Sequence, residues 1–296
     1  MFGDWSCSFL EFNESEGGIV VLGKKRQSKE WKWTLIALIP TIIIILPVYF
    51  LTISGFQTAA EIFHRPIYWF PPHPTLEFYN DACVTLLPYL KNSLIIALGN
   101  LALTLGVAVP AAFALAKFRL KLGKLTFFIL VFTQMLPATA VIIPLFLIFN
   151  NFKMINNYFS AISAIAVFTI PFATVILRAY VQGIPTSLIE AAFIDGASLF
   201  RVFRSIIIPL SSPAIATTGI LTLIMAWGDF IISLTFLKDQ TMQPMSIGLY
   251  HFVGQYGVEW NKLMAGSVIF AIPPLIVALL AGKSIVTGLT AGAFKE

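Results

Sequence analysis

Long apolar runs separated by short polar stretches dominate this chain. Six of them lie near Trp33–Ser54, Ser93–Ala116, Leu125–Phe149, Tyr158–Tyr180, Val202–Phe230 and Leu263–Thr287. Each reaches the roughly 20 residues that a helix rising about 1.5 Å per residue needs to cross a bilayer. The pattern predicts an all-α polytopic membrane protein: a polar tail over residues 1–32, then a six-span membrane domain over 33–296. All six runs carry proline: Pro40 and Pro47, Pro110, Pro137 and Pro144, Pro171, Pro209 and Pro213, and Pro273-Pro274. Proline frees a carbonyl and bends a helix, which is tolerated at membrane depth where neighbours or cavity water satisfy that carbonyl. A path that opens and closes uses such bends, although ordinary membrane helices contain proline too.

Between the fourth and fifth runs the alternation changes. Ser187 and Glu190 have the S-x-x-E spacing of a capping box, with Pro185 just upstream. Leu188, Ile189, Ala191, Ala192 and Phe193 supply apolar surface, and Asp195-Gly196 ends the turn as a helix-terminal glycine does. The stretch therefore predicts a short helix. Its alanines let another surface come close and Phe193 offers an anchor, the layout of a helix that seats in a partner's groove.

Composition agrees with the spans: 58% hydrophobic and 11% charged residues, with a mean hydropathy of +0.86. Of 19 basic residues, only Arg65, Lys91, Lys153, Lys238 and Lys262 fall on the outer side when the N-terminus is placed in the cytosol. The positive-inside rule then puts both termini and the Glu190 helix in the cytosol. The basic balance reports topology and anionic lipid headgroups; no basic patch interleaved with aromatics points to nucleic acid. Cys7 and Cys83 fall on opposite sides of the membrane and cannot pair within the chain. Residues 1–30 do not read as a signal peptide, since their early charges (Asp4, Glu11, Glu14) are acidic.

Catalytic chemistry finds no support. His64, His73 and His251 lack metal-ligand spacing, and no nucleophile–base constellation appears. Gly282-Lys283-Ser284 looks like the end of a phosphate loop, but Val277 stands where that loop requires glycine. Any energy source must be another chain. Polar residues at membrane depth are costly and face a bundle interior or a wet path. Asn92, Asn100, Gln134, Thr218 and Asp229 are the candidate path residues, with Ser93, Thr104, Thr133, Thr217 and Thr222 nearby. Hydrogen bonding between helices is the plainer role for the Ser and Thr side chains. For Asp229 that role is contact with interfacial water. Two external stretches, Gly55–Lys91 with its Tyr68-Trp69-Phe70-Pro71-Pro72-His73-Pro74 segment and Lys238–Trp260, suit either interfacial anchoring or contact with an external protein.

The spacing around Glu190 also carries a family signature. Glu190-Ala191-Ala192, then Gly196, Ile206 and Pro209, resembles the EAA loop of ABC importer permeases, with Ile208 where that pattern prefers Leu. Trp227-Gly228-Asp229-Phe230 is similar to the Trp-Asn-Glu/Asp-Phe segment of carbohydrate-importer permeases, with Gly228 replacing Asn. Gly288 to Lys295 resembles the tail of the maltose-type smaller permease, and Gly282-Lys283 stands where relatives often carry Gln-Arg. The resemblance implies the type I ABC importer permease fold, with a coupling loop over 182–209 and a tail over 288–296. It implies that Glu190, Ala191, Ala192, Phe193, Asp195 and Gly196 meet an ATPase, and that Gly288, Gly292 and Lys295 reach towards the ATPase dimer. The implied partners are a second homologous permease, two cytosolic ATPases, an external solute-binding protein and membrane lipids. The implied setting is the bacterial plasma membrane and the implied cargo a sugar, held mainly by the larger permease. The chain itself would be non-catalytic and bind no cofactor, with ATP and Mg on the ATPases. The rival reading is a self-contained ion-coupled secondary transporter. It would want mid-membrane carboxylates and inverted repeats, and Asp229 is the only acidic residue within the predicted spans.

Overall fold

The computed structural model describes residues 11–13, 18–20, 27–254 and 257–291. The chain forms two units, Met1–Ile53 and Ser54–Glu296. In the first, β1 (Glu11–Asn13) pairs antiparallel with β2 (Gly18–Val20), Glu11 opposite Val20. The long helix α1 (Gln27–Ser54) follows, with Pro40 and Pro47 inside it.

The second unit opens with α2 (Ala59–Ile62), whose capping box joins Thr58 and Glu61. Next comes α3 (Glu77–Lys117). Its 41 residues extend about 60 Å, twice the roughly 30 Å hydrocarbon layer. The second half of the expected external loop, Glu77–Lys91, is therefore helix, and Gly55–Thr58 and the proline-containing Phe63–Leu76 stay irregular. Then follow α4 (Gly123–Thr133), α5 (Ala138–Asn151) and α6 (Tyr158–Gln182). The short α7 (Thr186–Ile194) leads to α8 (Leu199–Val202), a π turn (Phe203–Ile207) and α9 (Ile208–Trp227). Beyond lie α10 (Ile231–Phe236), a 3-10 turn (Gln240–Met242), α11 (Met245–Tyr250) and the pair β3 (Val253–Gly254) and β4 (Gly257–Val258). The last helix is α12 (Trp260–Ala291). Among the described residues, five helices can cross a membrane by length and composition, or six if α4 and α5 count as one broken span.

That break corrects the expected continuous third span. The axes of α4 and α5 differ by 106°. Proline disfavours the helical conformation in the residue before it and brings no N–H of its own. Pro137 accordingly starts α5, with ψ at 133°. The last turn of α4 tightens to three-residue bonds: Gln134 N to Val131 O, Met135 N to Phe132 O and Leu136 N to Thr133 O. Pro209 lies inside the Leu199–Trp227 span, in the first turn of α9 directly after the π turn.

Contacts set the helix directions. Tyr158 donates its hydroxyl to Asn92 Oδ1 at 2.7 Å, Thr104 and Thr169 hydroxyls meet at 2.7 Å, and Arg178 Nε reaches Leu115 O at 3.4 Å. Paired in that order, α3 and α6 run parallel. The α4–α5 pair must then return the chain from the Lys117 level to the Tyr158 level, which makes it one bent crossing. A Cβ at Gly99 would lie 2.6 Å from Ile162 Cδ1, so glycine permits this close approach. Apolar packing forms three patches. One at the Tyr158 end includes Ile96, Ile165, Trp227 and Phe236. A central one joins Ala108, Ala112, Ala173 and Ala214, small residues that bring α3, α6 and α9 together. One at the Lys117 end includes Phe113, Val181, Ile189 and Val202.

In the second expected external stretch, the described residues 238–254 and 257–260 include the short elements from the 3-10 turn to β4. Met245 and Ile247 are buried, and Met245 N donates to Ser93 Oγ at 2.8 Å. Asn156, at φ 62°, accepts from Lys238 N and Asp239 N. The N–H and hydroxyl of Thr241 both bond to Asp239 and hold its carboxyl below the ordinary value. Lys262 ties α12 to α3 by an ion pair with Asp81 at 3.2 Å.

Candidate functional site

The best-defined surface feature is the turn of chain between α6 and α9. Its foundation is held from several sides. Lys117, in the last turn of α3, donates to the carbonyls of Gln182 and Ile184, where the C-terminal end of α6 is electronegative. Arg178 stacks its guanidinium 4.0 Å from the Phe127 ring centre, linking α6 to α4. Ile189 on α7 is only 8% exposed and joins Phe113, Val181, Val202 and Ile207 in one apolar cluster, with Ala192 packed against it.

The helix stops as expected and starts differently. Gly196 N donates to Phe193 O at 3.0 Å and Ala197 N to Ala192 O at 2.9 Å, the two bonds of a Schellman motif. Gly196 has φ +80°, a conformation that only glycine adopts without strain. The expected Ser187–Glu190 capping box does not form. Pro185 is the N-cap, no side chain caps the helix, and Ser187 lies inside it. The fixed φ of Pro185 turns the chain where a side-chain cap would otherwise be needed.

With Ile189 and Ala192 turned inward, the opposite side is left without cover by the described residues. Glu190, Ala191, Phe193, Asp195 and Gly196 are exposed. Ile194 is 85% exposed and Phe200 69%, with Leu188 and Leu199 about half exposed. Such a patch of large apolar side chains marks a binding surface. Ile194, Leu199 and Phe200 were missed by the sequence reading; their signal was the apolar residues flanking the Asp195-Gly196 stop. Gly288 lies on α12, while Gly292 and Lys295 fall outside the described residues.

The five candidate path residues do not converge. Asn92 is buried, donates to the carbonyls of Thr241 and Gln243 at 2.8 Å each, and accepts from Tyr158. Asn100 is fully buried; it accepts from Thr104 and Thr169 and donates to Ile162 O. Thr218 is fully buried with no partner for its hydroxyl. Asp229 lies beyond the end of α9, not within a span, and its carboxylate accepts from Ser233 N at 2.8 Å and Ser233 Oγ at 2.7 Å. Only Gln134 is exposed, at the α4–α5 break beside a hollow of about 230 Å³. Among the described residues no group of three or more His, Cys, Asp or Glu side chains could hold a metal ion.

Bundled spans with a short, largely exposed helix between two of them define the class: an integral membrane protein with the type I ABC importer permease fold. The family model for binding-protein-dependent transport system inner membrane components matches residues 105–292, and the chain belongs to that family. It is 34% identical over 265 residues to the trehalose/maltose transport system permease protein of Thermococcus litoralis, covering 88% of this chain and 94% of that one. It is 31% identical over 255 residues to the diacetylchitobiose uptake system permease protein of Streptomyces coelicolor, covering 85% and 92%. It is 30% identical over 253 residues to the sulfoquinovosyl glycerol transport system permease protein of Agrobacterium fabrum, covering 85% and 89%. Among solved structures, a chain of a bacterial ABC transporter that imports the acidic polysaccharide alginate aligns with a TM-score of 0.71 at 20% identity, over 88% of this chain and 98% of that one. The protein is a non-catalytic permease subunit of an ABC importer. The secondary-transporter reading is not favoured.

Proposed function

We propose that this chain is one of two homologous permeases in an ATP-driven sugar importer, working with two cytosolic ATPases and an external solute-binding protein. It lies in the bacterial plasma membrane with both termini in the cytosol. ATP and Mg bind the ATPases, and this chain binds no cofactor. The α7 helix, through Glu190, Ala191, Phe193, Asp195 and Gly196, docks into an ATPase groove, with Ala192 bracing it from beneath. The tail residues Gly288, Gly292 and Lys295 extend towards the ATPase pair.

The observation that carries this reading is the uncovered apolar side of α7 on a buried, hydrogen-bonded base. A helix held so firmly transmits motion as a rigid body, so closure of the ATPases would swing the spans between inward- and outward-facing arrangements. Charge supports the orientation. Lys117, Arg119, Lys121, Lys124, Arg178, Arg201 and Arg204 cluster at the α7 end, against Arg65, Lys91, Lys153, Lys238 and Lys262 at the other. The relatives named for trehalose/maltose, diacetylchitobiose and sulfoquinovosyl glycerol support a sugar or glycoside as cargo.

The test is uptake by the whole importer reconstituted in liposomes with its binding protein. Gly196→Ala forces an L side chain into left-handed backbone at a cost of about 1–2 kcal/mol, and Glu190→Ala removes the exposed carboxylate of the docking face. Both should insert normally yet lose uptake and binding-protein-stimulated ATP hydrolysis together. Normal uptake by these variants would show that α7 is not the coupling element. Uptake that collapses with an ion gradient but not with ATP depletion would overturn the importer reading as a whole.

A further inference from the structure

At the α4–α5 break the irregular segment Gln134–Pro137 lies part way across the membrane. The 11 residues of α4 span about 16 Å, half the hydrocarbon layer. The hollow beside it is lined by Thr133, Gln134, Val167, Phe168, Pro171, Phe172 and Met225. Val167 to Phe172 occupy the middle of α6, level with the Thr104–Thr169 contact. Non-helical backbone at this depth is tolerated only against protein or a water-filled cavity, never against lipid. The hollow therefore faces inward in the assembled importer.

Its polar atoms share one character. Gln134 Nε2 donates to Leu130 O at 3.2 Å, which leaves Oε1 open as an acceptor. Thr133 Oγ1 donates to the same carbonyl at 2.9 Å, so its lone pairs remain available. Pro171 has no N–H, which deprives the Val167 carbonyl of its helical partner. Phe168 and Phe172, one helical turn apart, place two aromatic rings beside these acceptors. No Lys, Arg, Asp or Glu lines the hollow. Acceptors without cations suit hydroxyl donors and disfavour anionic groups, and phenyl faces suit the C–H face of a pyranose. At about 230 Å³ it is smaller than the roughly 300–1,000 Å³ of a complete small-molecule pocket, a size for one ring of a longer solute.

We infer that this hollow is a solute-binding station in which Gln134 and Phe172 hold one uncharged sugar ring during translocation. The inference rests on the sugar-importer reading above and assigns this permease a direct contact with the cargo.

The test uses the full importer in liposomes with its binding protein, offered trehalose, maltose and diacetylchitobiose, and reads sugar taken up per ATP hydrolysed. Gln134→Leu and Phe172→Ala should keep stimulated hydrolysis near the wild-type rate while sugar per ATP falls about 2- to 10-fold, the loss of one hydrogen bond or contact. Gln134→Asn, which keeps the amide, should recover part of that loss. Unchanged sugar per ATP in both variants would overturn the station, as would a parallel fall in hydrolysis and uptake, the result expected if the second permease merely packs there. A wild-type importer that moves none of these sugars but takes up a sulfonated glycoside such as sulfoquinovosyl glycerol would overturn the station while the sugar-importer reading stands. One that moves no sugar or glycoside at all would overturn the proposed cargo, and the station with it.

Discussion

A single amide shows how the membrane setting raises the cost of an unpaired polar group. Asn92 serves two backbone carbonyls and the Tyr158 hydroxyl from a buried position. Replacing it by alanine orphans all three, and buried orphans cost about 1–3 kcal/mol each before relaxation. Asn92→Ala should therefore lower the thermal stability of the purified complex by roughly 2–4 kcal/mol. Tyr158→Phe, which removes one bond, should cost about 1 kcal/mol. A melting temperature unchanged in Asn92→Ala, with uptake lost, would return Asn92 to the solute path. The sequence marked this residue as polar at membrane depth. It could not show the carbonyls that satisfy it, because they lie 149 and 151 residues away.

Among the elements, α7 divides its side chains between two jobs. Ile189 belongs to the base and Ile194 to the open side. Full burial of one such side chain contributes about 1.5–3 kcal/mol. Ile194→Ser or Phe193→Ser should thus weaken ATPase association about 10- to 100-fold, measured with permease pairs in nanodiscs, while the permease melts normally. Ile189→Ala should do the reverse and first loosen the loop itself. If Ile194→Ser leaves ATPase affinity intact, the docking surface lies elsewhere. The helix was legible in the sequence because its stop needs glycine, a demand set locally by φ. Its start was misread because S-x-x-E is also compatible with the interior of a helix once Pro185 has turned the chain.

Over the whole second unit, the parallel run of α3 and α6 places α7 and the end of α3 together at one end, and Asn92, Tyr158 and α11 at the other. This arrangement makes the orientation testable with two cysteines on a background lacking Cys7 and Cys83. In membranes that carry the permeases without their ATPases, Asp195→Cys should react with a membrane-impermeant maleimide in inverted vesicles and not in whole cells, and His73→Cys the opposite. The reversed result would invert the topology and detach α7 from any cytosolic ATPase.

What the sequence determined by itself is the number of crossings, their rough places and the existence of α7. Runs of about 20 apolar residues have few stable alternatives to a membrane helix, and the spaced Glu, Gly and Pro around α7 are local demands. The tertiary structure alone decided which polar residues are internal ties and which remain open. It also decided that the third crossing bends by 106° and that the outer stretch packs against α3. Those outcomes depend on partners far away in the chain, and hydrophobic periodicity carries no record of them.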